Sequence, residues 1–264
     1  MNKLGKLIII FSISIIILYG CSKDEPEKIE NPFLNVLIET FTNVQCSTCV
    51  EVKNTVDSVL RYYQSIDDHK TPIWIDFHPP ITSIDPFFIA NPNIHQTRAS
   101  DYGYTGNLPK LFIDGHEIPQ PDYSNPTYLI AYIDSLVNFG KPGEIEMEIT
   151  TVTDTIEVSG IISTNDTVQG QIYSYLLRDE VTFTTAPGAS GETVFKYVAA
   201  EIEPDLGGEF ISIRESGIFE FTYIFTTPSE IELGVTKNYT AIVFVQNNEK
   251  KILAAKAMNV DWQN

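Results

Sequence analysis

The stretch N-V-L-I-E-T-F-T-N-V-Q-C-S-T-C, Asn35 to Cys49, decides how this chain is read. Asn35 to Phe41 is short and mostly apolar, the pattern of a buried strand. Two cysteines follow at once, with Ser47 and Thr48 between them. From Cys49 onward Val52, Val56, Val59, Leu60 and Tyr63 recur at spacings of three and four. That periodicity predicts a helix with one buried face. The dithiol therefore stands at a strand-to-helix junction. There, backbone N–H groups and the helix dipole favour a thiolate on Cys46.

Working outward, Ile73 to Phe77 (I-W-I-D-F) reads as a second strand, ended by Pro79-Pro80. Asp85 to about Ser100 reads as an irregular or helical insertion broken by Pro92. Lys110–Ile113 and His116–Ile118 flank Asp114-Gly115, a strong hairpin signal because the turn needs positive φ. Asn125-Pro126 then opens a helix as N-cap and first-turn proline, and Gly140 ends it. Leu129, Ile130, Ile133, Leu136 and Val137 form its apolar face.

Strand, Cys-x-x-Cys, helix, strand, helix, proline, hairpin, helix is an order that resembles the thioredoxin fold over residues 34–140. The resemblance implies that Leu108-Pro109 is cis and that Pro109 faces the dithiol, leaving the backbone at Leu108 free to pair with a substrate strand. It implies the catalytic set Cys46, Cys49 and Pro109: Cys46 attacks a substrate disulfide and the more buried Cys49 resolves the mixed disulfide. The sequence departs from the thioredoxin pattern in two places. Gln45 replaces a tryptophan, and Thr40 replaces a buried acid. Glu39 is adjacent to Thr40, but strand alternation sends it to the other face, so no proton acceptor for Cys49 is identified. His78, at the end of the second strand, either approaches the dithiol or is a loop histidine without a role.

From Gly143 the texture changes. Ile145, Met147 and Ile149 alternate with acids, and similar runs follow at Thr155–Ser163, Gln171–Leu177, Gly217–Thr226, Tyr239–Gln246 and Lys251–Val260. Strands of period two with turn signals between them predict an antiparallel sandwich. Pro187-Gly188-Ala189-Ser190-Gly191 reads as a long loop within it, and Lys141-Pro142-Gly143 as a hinge before it. The expected fold class is an α/β thioredoxin-like domain (34–141) followed by an all-β immunoglobulin-like sandwich domain (142–264).

The N-terminus supplies the setting. Lys3 and Lys6 precede an apolar run from Leu7 to Leu18, and no acid occurs before Asp24. About twelve apolar residues suit a secretory signal, since a spanning helix needs roughly 20. Leu18-Tyr19-Gly20-Cys21 resembles the lipobox of bacterial lipoproteins. That implies a signal peptide over 1–20, cleavage before Cys21 and a lipid anchor on Cys21 that binds the membrane. Residues 21–33 are polar and read as a flexible tether. Within it, Ser22-Lys23-Asp24-Glu25 either resembles the surface-export signal of Bacteroidota lipoproteins or is a merely solvated linker. The net charge of −18 opposes nucleic-acid binding. Of three cysteines the anchor uses one, so the other two share one motif in an oxidising compartment.

Taken whole, the lipobox, the E-x-F-T-x-x-x-C-x-x-C stretch from Glu39 to Cys49 and the β-rich half resemble the Omp-twenty-eight-related outer membrane proteins of Bacteroidota. The resemblance implies an outer-membrane, lipid-anchored protein facing either the cell surface or the periplasm. Two functions stay open at this point. One is a thiol–disulfide oxidoreductase acting on a protein disulfide. The other is a non-enzymatic binding or structural lipoprotein with a permanent Cys46–Cys49 disulfide. Neither requires a cofactor. A weaker alternative is a metal site in which the two thiolates and His78 hold copper or zinc; the other histidines, His69, His95 and His116, show no ligand spacing among them.

Overall fold

The structure, a computed structural model, describes residues 33–66, 71–81, 84–228 and 234–261. All of these fall within one compact unit, Asn31–Asn264. The expected signal peptide (1–20), the expected anchor at Cys21 and the expected tether (21–33), apart from Phe33 in the first strand, lie outside the described residues.

Strand β1 (Phe33–Phe41) leads into helix α1 (Cys49–Ser65), whose buried face carries Val52, Val56, Val59, Leu60 and Tyr63 as the spacing predicts. Strand β2 (Thr71–Phe77) is buried at every position. The insertion after it consists of two short helices, α2 (Pro86–Ala90) and α3 (Pro92–Asp101), each begun by a proline. Strands β3 (Lys110–Ile113) and β4 (His116–Glu117) turn at Asp114-Gly115, both at positive φ (49° and 83°). Helix α4 (Pro126–Phe139) begins where the Asn125 side chain accepts the Tyr128 N–H at 3.2 Å, and it stops at Gly140. Among the described residues eight strands follow: β5 (Gly143–Val152), β6 (Thr155–Thr164), β7 (Val168–Phe183), β8 (Val194–Glu203), β9 (Glu209–Ile213), β10 (Ile218–Thr226), β11 (Gly234–Gln246) and β12 (Ile252–Asn259).

The expected fold class, an α/β thioredoxin-like domain followed by an all-β immunoglobulin-like sandwich, is corrected by the sheet topology. Among the described residues no distinct thioredoxin α/β domain is present. The protein is mostly β, and the strands of both halves run through one mixed sheet in the order β12-β11-β7-β8-β2-β1-β3-β4, with β9 on β7. Strand β8 makes the join. It pairs antiparallel with β7 along its length, and its Val198 pairs in parallel with Asp76 of β2. A second sheet holds three strands, β10-β6-β5. No separation falls at Lys141-Pro142-Gly143, where Gly143 already begins β5.

Side-chain alternation builds three of the four apolar cores among the described residues, because successive strand residues point to opposite faces. Val36 and Ile38 of β1 and Trp74 of β2 face α1 and α4. Leu37, Phe41, Ile73, Ile75 and Phe77 face the other way and pack with Tyr175 of β7, Phe244 of β11 and Ala255 of β12. The large sheet therefore curls so that strands from both chain halves enclose one core. On the far face of β7, β11 and β12, Ile172, Val243 and Ala254 pack against Ile145, Val158 and Phe221 of the small sheet. Fully burying one such aliphatic or aromatic side chain contributes about 1.5–3 kcal/mol. Removing either half would expose a shared core. The two halves also touch at their turns. A Cβ on Gly115 would stand 1.7 Å from the carbonyl oxygen of Lys250, so only glycine fits there.

Candidate functional site

Cys46 and Cys49 form a disulfide with Cα atoms 5.3 Å apart. The turn that carries them is held by its own backbone: the Cys46 N–H donates to the Asn43 carbonyl, and the Gln45 N–H to the Asn43 side chain at 2.9 Å. Cys49 is the first residue of α1, and its N–H points at the Cys46 sulfur at 3.2 Å. The Thr48 hydroxyl is 3.4 Å from the same sulfur. The two sulfurs are unequal in access: Cys46 is 8% exposed and Cys49 is fully enclosed.

Beneath the turn lies a buried ionic cluster. In the β1–β2 register Thr40 pairs with Asp76. The Thr40 and Thr42 hydroxyls donate to the Asp76 carboxylate at 2.7 and 2.9 Å, and the Trp74 indole N–H donates to the Thr40 oxygen at 2.8 Å. His78 is fully buried between two carboxylates, with Asp85 at 2.8 Å from Nδ1 and Asp76 at 3.2 Å from Nε2. Burial alone would lower the His78 pKa, but the two carboxylates outweigh it and raise it to about 9. His78 is therefore an imidazolium that donates from both nitrogens. Asp85 is pushed up by burial, yet the His78 charge and the Val44 N–H bring it down to about 2. Burial and the neighbouring His78 charge hold His95 near 3, so it is neutral and accepts the His78 backbone N–H on Nδ1 at 3.1 Å. Asp85 also receives the Val44 N–H at 3.0 Å, two residues before Cys46. The cluster thus fixes the backbone that delivers the dithiol.

The sequence-derived residues fall as follows. Cys46 and Cys49 are joined directly. Leu108-Pro109 is a cis bond, and Pro109 is buried. Pro109 immediately precedes Lys110, the β3 partner of Phe41, so it lies at the same end of the sheet as the dithiol turn. Glu39 does face away from Thr40: it receives Arg98 Nε at 2.6 Å inside the second core. His78 is neither a loop bystander nor aimed at the sulfurs, because both its nitrogens are engaged by Asp76 and Asp85. Asp76 and Asp85 were missed as site residues. A lone acid inside the apolar run I-W-I-D-F was the signal for Asp76.

One element reaches the dithiol turn from the other half of the chain. The β7–β8 loop, closed at its base by the Phe183 N–H to the Thr193 carbonyl at 2.8 Å, lies over residues 44–45. The Ser190 N–H donates to the Val44 carbonyl at 2.9 Å, and the Ala189 N–H to the Gln45 side chain at 3.4 Å. Glu192 pairs with Lys53 at 2.5 Å, and the Lys53 ammonium sits 4.4 Å from the Phe195 ring centre. Read in the sequence as a sandwich loop, this segment is part of the site. Among the described residues, no group of three or more His, Cys, Asp or Glu side chains is arranged to hold a metal ion.

No protein-family model and no curated protein matches the chain. Among solved structures it is similar to HBP35 of Porphyromonas gingivalis, with a TM-score of 0.65 and 15% identity over 86% of this chain and 75% of that one. It is also similar to a protein from Agrobacterium tumefaciens whose crystal structure is known, with a TM-score of 0.51 and 11% identity over 88% of this chain and 98% of that one. At these identities the likeness shows a shared fold: the architecture described above is one that other bacterial proteins adopt across most of their length.

Proposed function

We propose that this chain is a thiol–disulfide oxidoreductase held at the outer membrane by lipid on Cys21. The observation that carries the catalytic part is the inequality of the two sulfurs at the start of α1. The Cys46 sulfur, the more accessible one, already receives the Cys49 N–H at 3.2 Å. On reduction that N–H and the helix dipole favour a Cys46 thiolate, the nucleophile of thiol–disulfide exchange. Enclosed Cys49 is placed to resolve the mixed disulfide. Pro109, at the same end of the sheet, is the third member of the proposed catalytic set. The lipobox at Leu18–Cys21 and the resemblance to Omp-twenty-eight-related lipoproteins support the anchor.

Trapping with Cys49→Ser tests the catalytic reading. Cys46 should retain its substrate as a mixed disulfide that dithiothreitol releases, and the wild-type protein should reduce insulin. No trapped species and no insulin reduction would refute it. Replacing Cys21 with Ala should move the protein from the membrane fraction to the soluble one.

A specific observation favours a second reading, a structural disulfide in a non-enzymatic lipoprotein: the β7–β8 loop packs over the dithiol turn. A reduction potential below about −300 mV, typical of structural disulfides, would support that reading.

A further inference from the structure

The covering loop itself is informative. Its seating depends on close packing at one point and a charge pair at another. A Cβ on Gly188 would fall 2.3 Å from the Val44 carbonyl oxygen and 2.7 Å from the Gln45 side-chain nitrogen. The Val44 side is backbone and cannot swing away, because the Val44 N–H is itself fixed by buried Asp85. Any side chain at 188 must therefore move the loop. At its other end Glu192 reaches Lys53, a lysine on α1 only 5% exposed. Lys53 follows Cys49 by four residues, so the two share one face of the helix. The loop thus grips the residues just before Cys46 and the helix turn just after Cys49. Cys46 remains 8% exposed between those grips.

We propose that Gly188 and Glu192 determine which thiols reach Cys46: seated, the loop admits small or extended thiols and turns away the broad face of a folded dithiol protein. The proposal rests on the oxidoreductase reading. The exchange it controls is a two-step transfer from an external dithiol. A donor thiolate attacks the Cys46 sulfur, the Cys46–Cys49 bond breaks, and Cys49 leaves as a thiolate that takes up a proton. The donor's second thiol, losing its proton, then attacks the donor sulfur of the mixed disulfide and releases Cys46 as a thiolate. The donor is oxidised to a disulfide, and the chain gains two electrons and one proton, the second proton passing to solvent.

The test is the rate at which Cys46–Cys49 is reduced in the full chain, read as the mass shift on thiol alkylation. Two reductants are compared: dithiothreitol, and reduced thioredoxin as a folded dithiol protein. In Gly188→Ala the displaced loop should raise the rate with thioredoxin several-fold more than the rate with dithiothreitol. Glu192→Gln, which changes only the ion pair, should act in the same direction and guards against misfolding of the glycine variant. An unchanged ratio of the two rates in Glu192→Gln and in folded Gly188→Ala would overturn the proposal, as would a slower thioredoxin rate. Insulin turnover, measured alongside, reports on the oxidoreductase reading separately. If insulin is not reduced by any variant, that reading fails while the reductant ratio still decides the role of the loop.

Discussion

His78 Nδ1 lies 2.8 Å from Asp85 Oδ2, and the same carboxylate oxygen receives the Val44 N–H at 3.0 Å. One buried acid therefore neutralises an imidazolium and fixes the backbone two residues before the dithiol. Asp85→Ala removes both interactions and leaves buried charge short of a partner. Breaking a buried pair in this way costs about 3–5 kcal/mol. Urea denaturation should show a loss of that order, with faster alkylation of reduced Cys46 as the turn loosens. A loss below about 1 kcal/mol, the scale of an exposed ion pair, would mean that the cluster does not hold the turn.

The same pair makes stability depend on pH. His78 binds its proton more tightly folded, at about 9, than its ordinary value of 6.5. Its contribution is fully present below pH 6.5 and is lost as pH rises through about 9. Denaturation free energy should therefore fall between those limits. His78→Gln should be less stable throughout, and its profile should be flatter across that window. Parallel profiles for the two proteins would show that His78 is not the titrating group.

Glu39 and Arg98 form a second buried pair, at 2.6 Å, joined by Gln246 at 2.8 Å from Arg98 and by the Tyr102 hydroxyl at 2.5 Å from Glu39. Glu39, Arg98 and Gln246 come from β1, α3 and β11, and Tyr102 caps the end of α3, so the pair ties the two chain halves together inside their shared core. Glu39→Gln should cost about 3–5 kcal/mol by stranding a buried guanidinium. The double change Glu39→Gln with Arg98→Met should recover much of that loss, because the uncompensated charge is gone. A double variant as unstable as the single one would contradict this account.

The shared core also predicts how the protein unfolds. Circular dichroism and tryptophan fluorescence should report one cooperative transition for the described unit. Gly115→Ala, which drives a methyl into the Lys250 carbonyl at positive φ, should lower stability by about 2 kcal/mol or more. It should do so without splitting the transition. Two transitions in the wild-type protein would mean that the halves fold independently.

Local elements were legible wherever the physics is local. The helix from Cys49 follows from the spacing of Val52, Val56 and Val59, the turn from Asp114-Gly115, and the helix start from Asn125-Pro126. Strands β5 and β10 show their period of two because one face of each meets solvent. Strand β8 was not recognised. V-F-K-Y-V-A-A-E-I-E has no clean alternation, since it packs between β7 and β2 and both of its faces are partly covered. Missing that strand turned one curled sheet into two expected domains. Asp76, Asp85 and the contact of the β7–β8 loop with the dithiol turn were missed for a related reason: their partners are distant in sequence or hidden behind ordinary loop composition.

By itself, the sequence determined a dithiol at a strand-to-helix junction and a β-rich second half, and it raised the expectation of a lipoprotein signal at the N-terminus. Each follows from neighbours a few residues apart. Only the tertiary structure decided that the halves share one sheet and one core, and that a charged histidine between two acids braces the dithiol turn. It also decided that a loop carrying Gly188 lies across that turn. Those relationships join residues from 7 to about 150 positions apart, as in His78–Asp85, Ser190–Val44 and Arg98–Gln246. They depend on strand order and on the shape of buried space, and no local pattern encodes either.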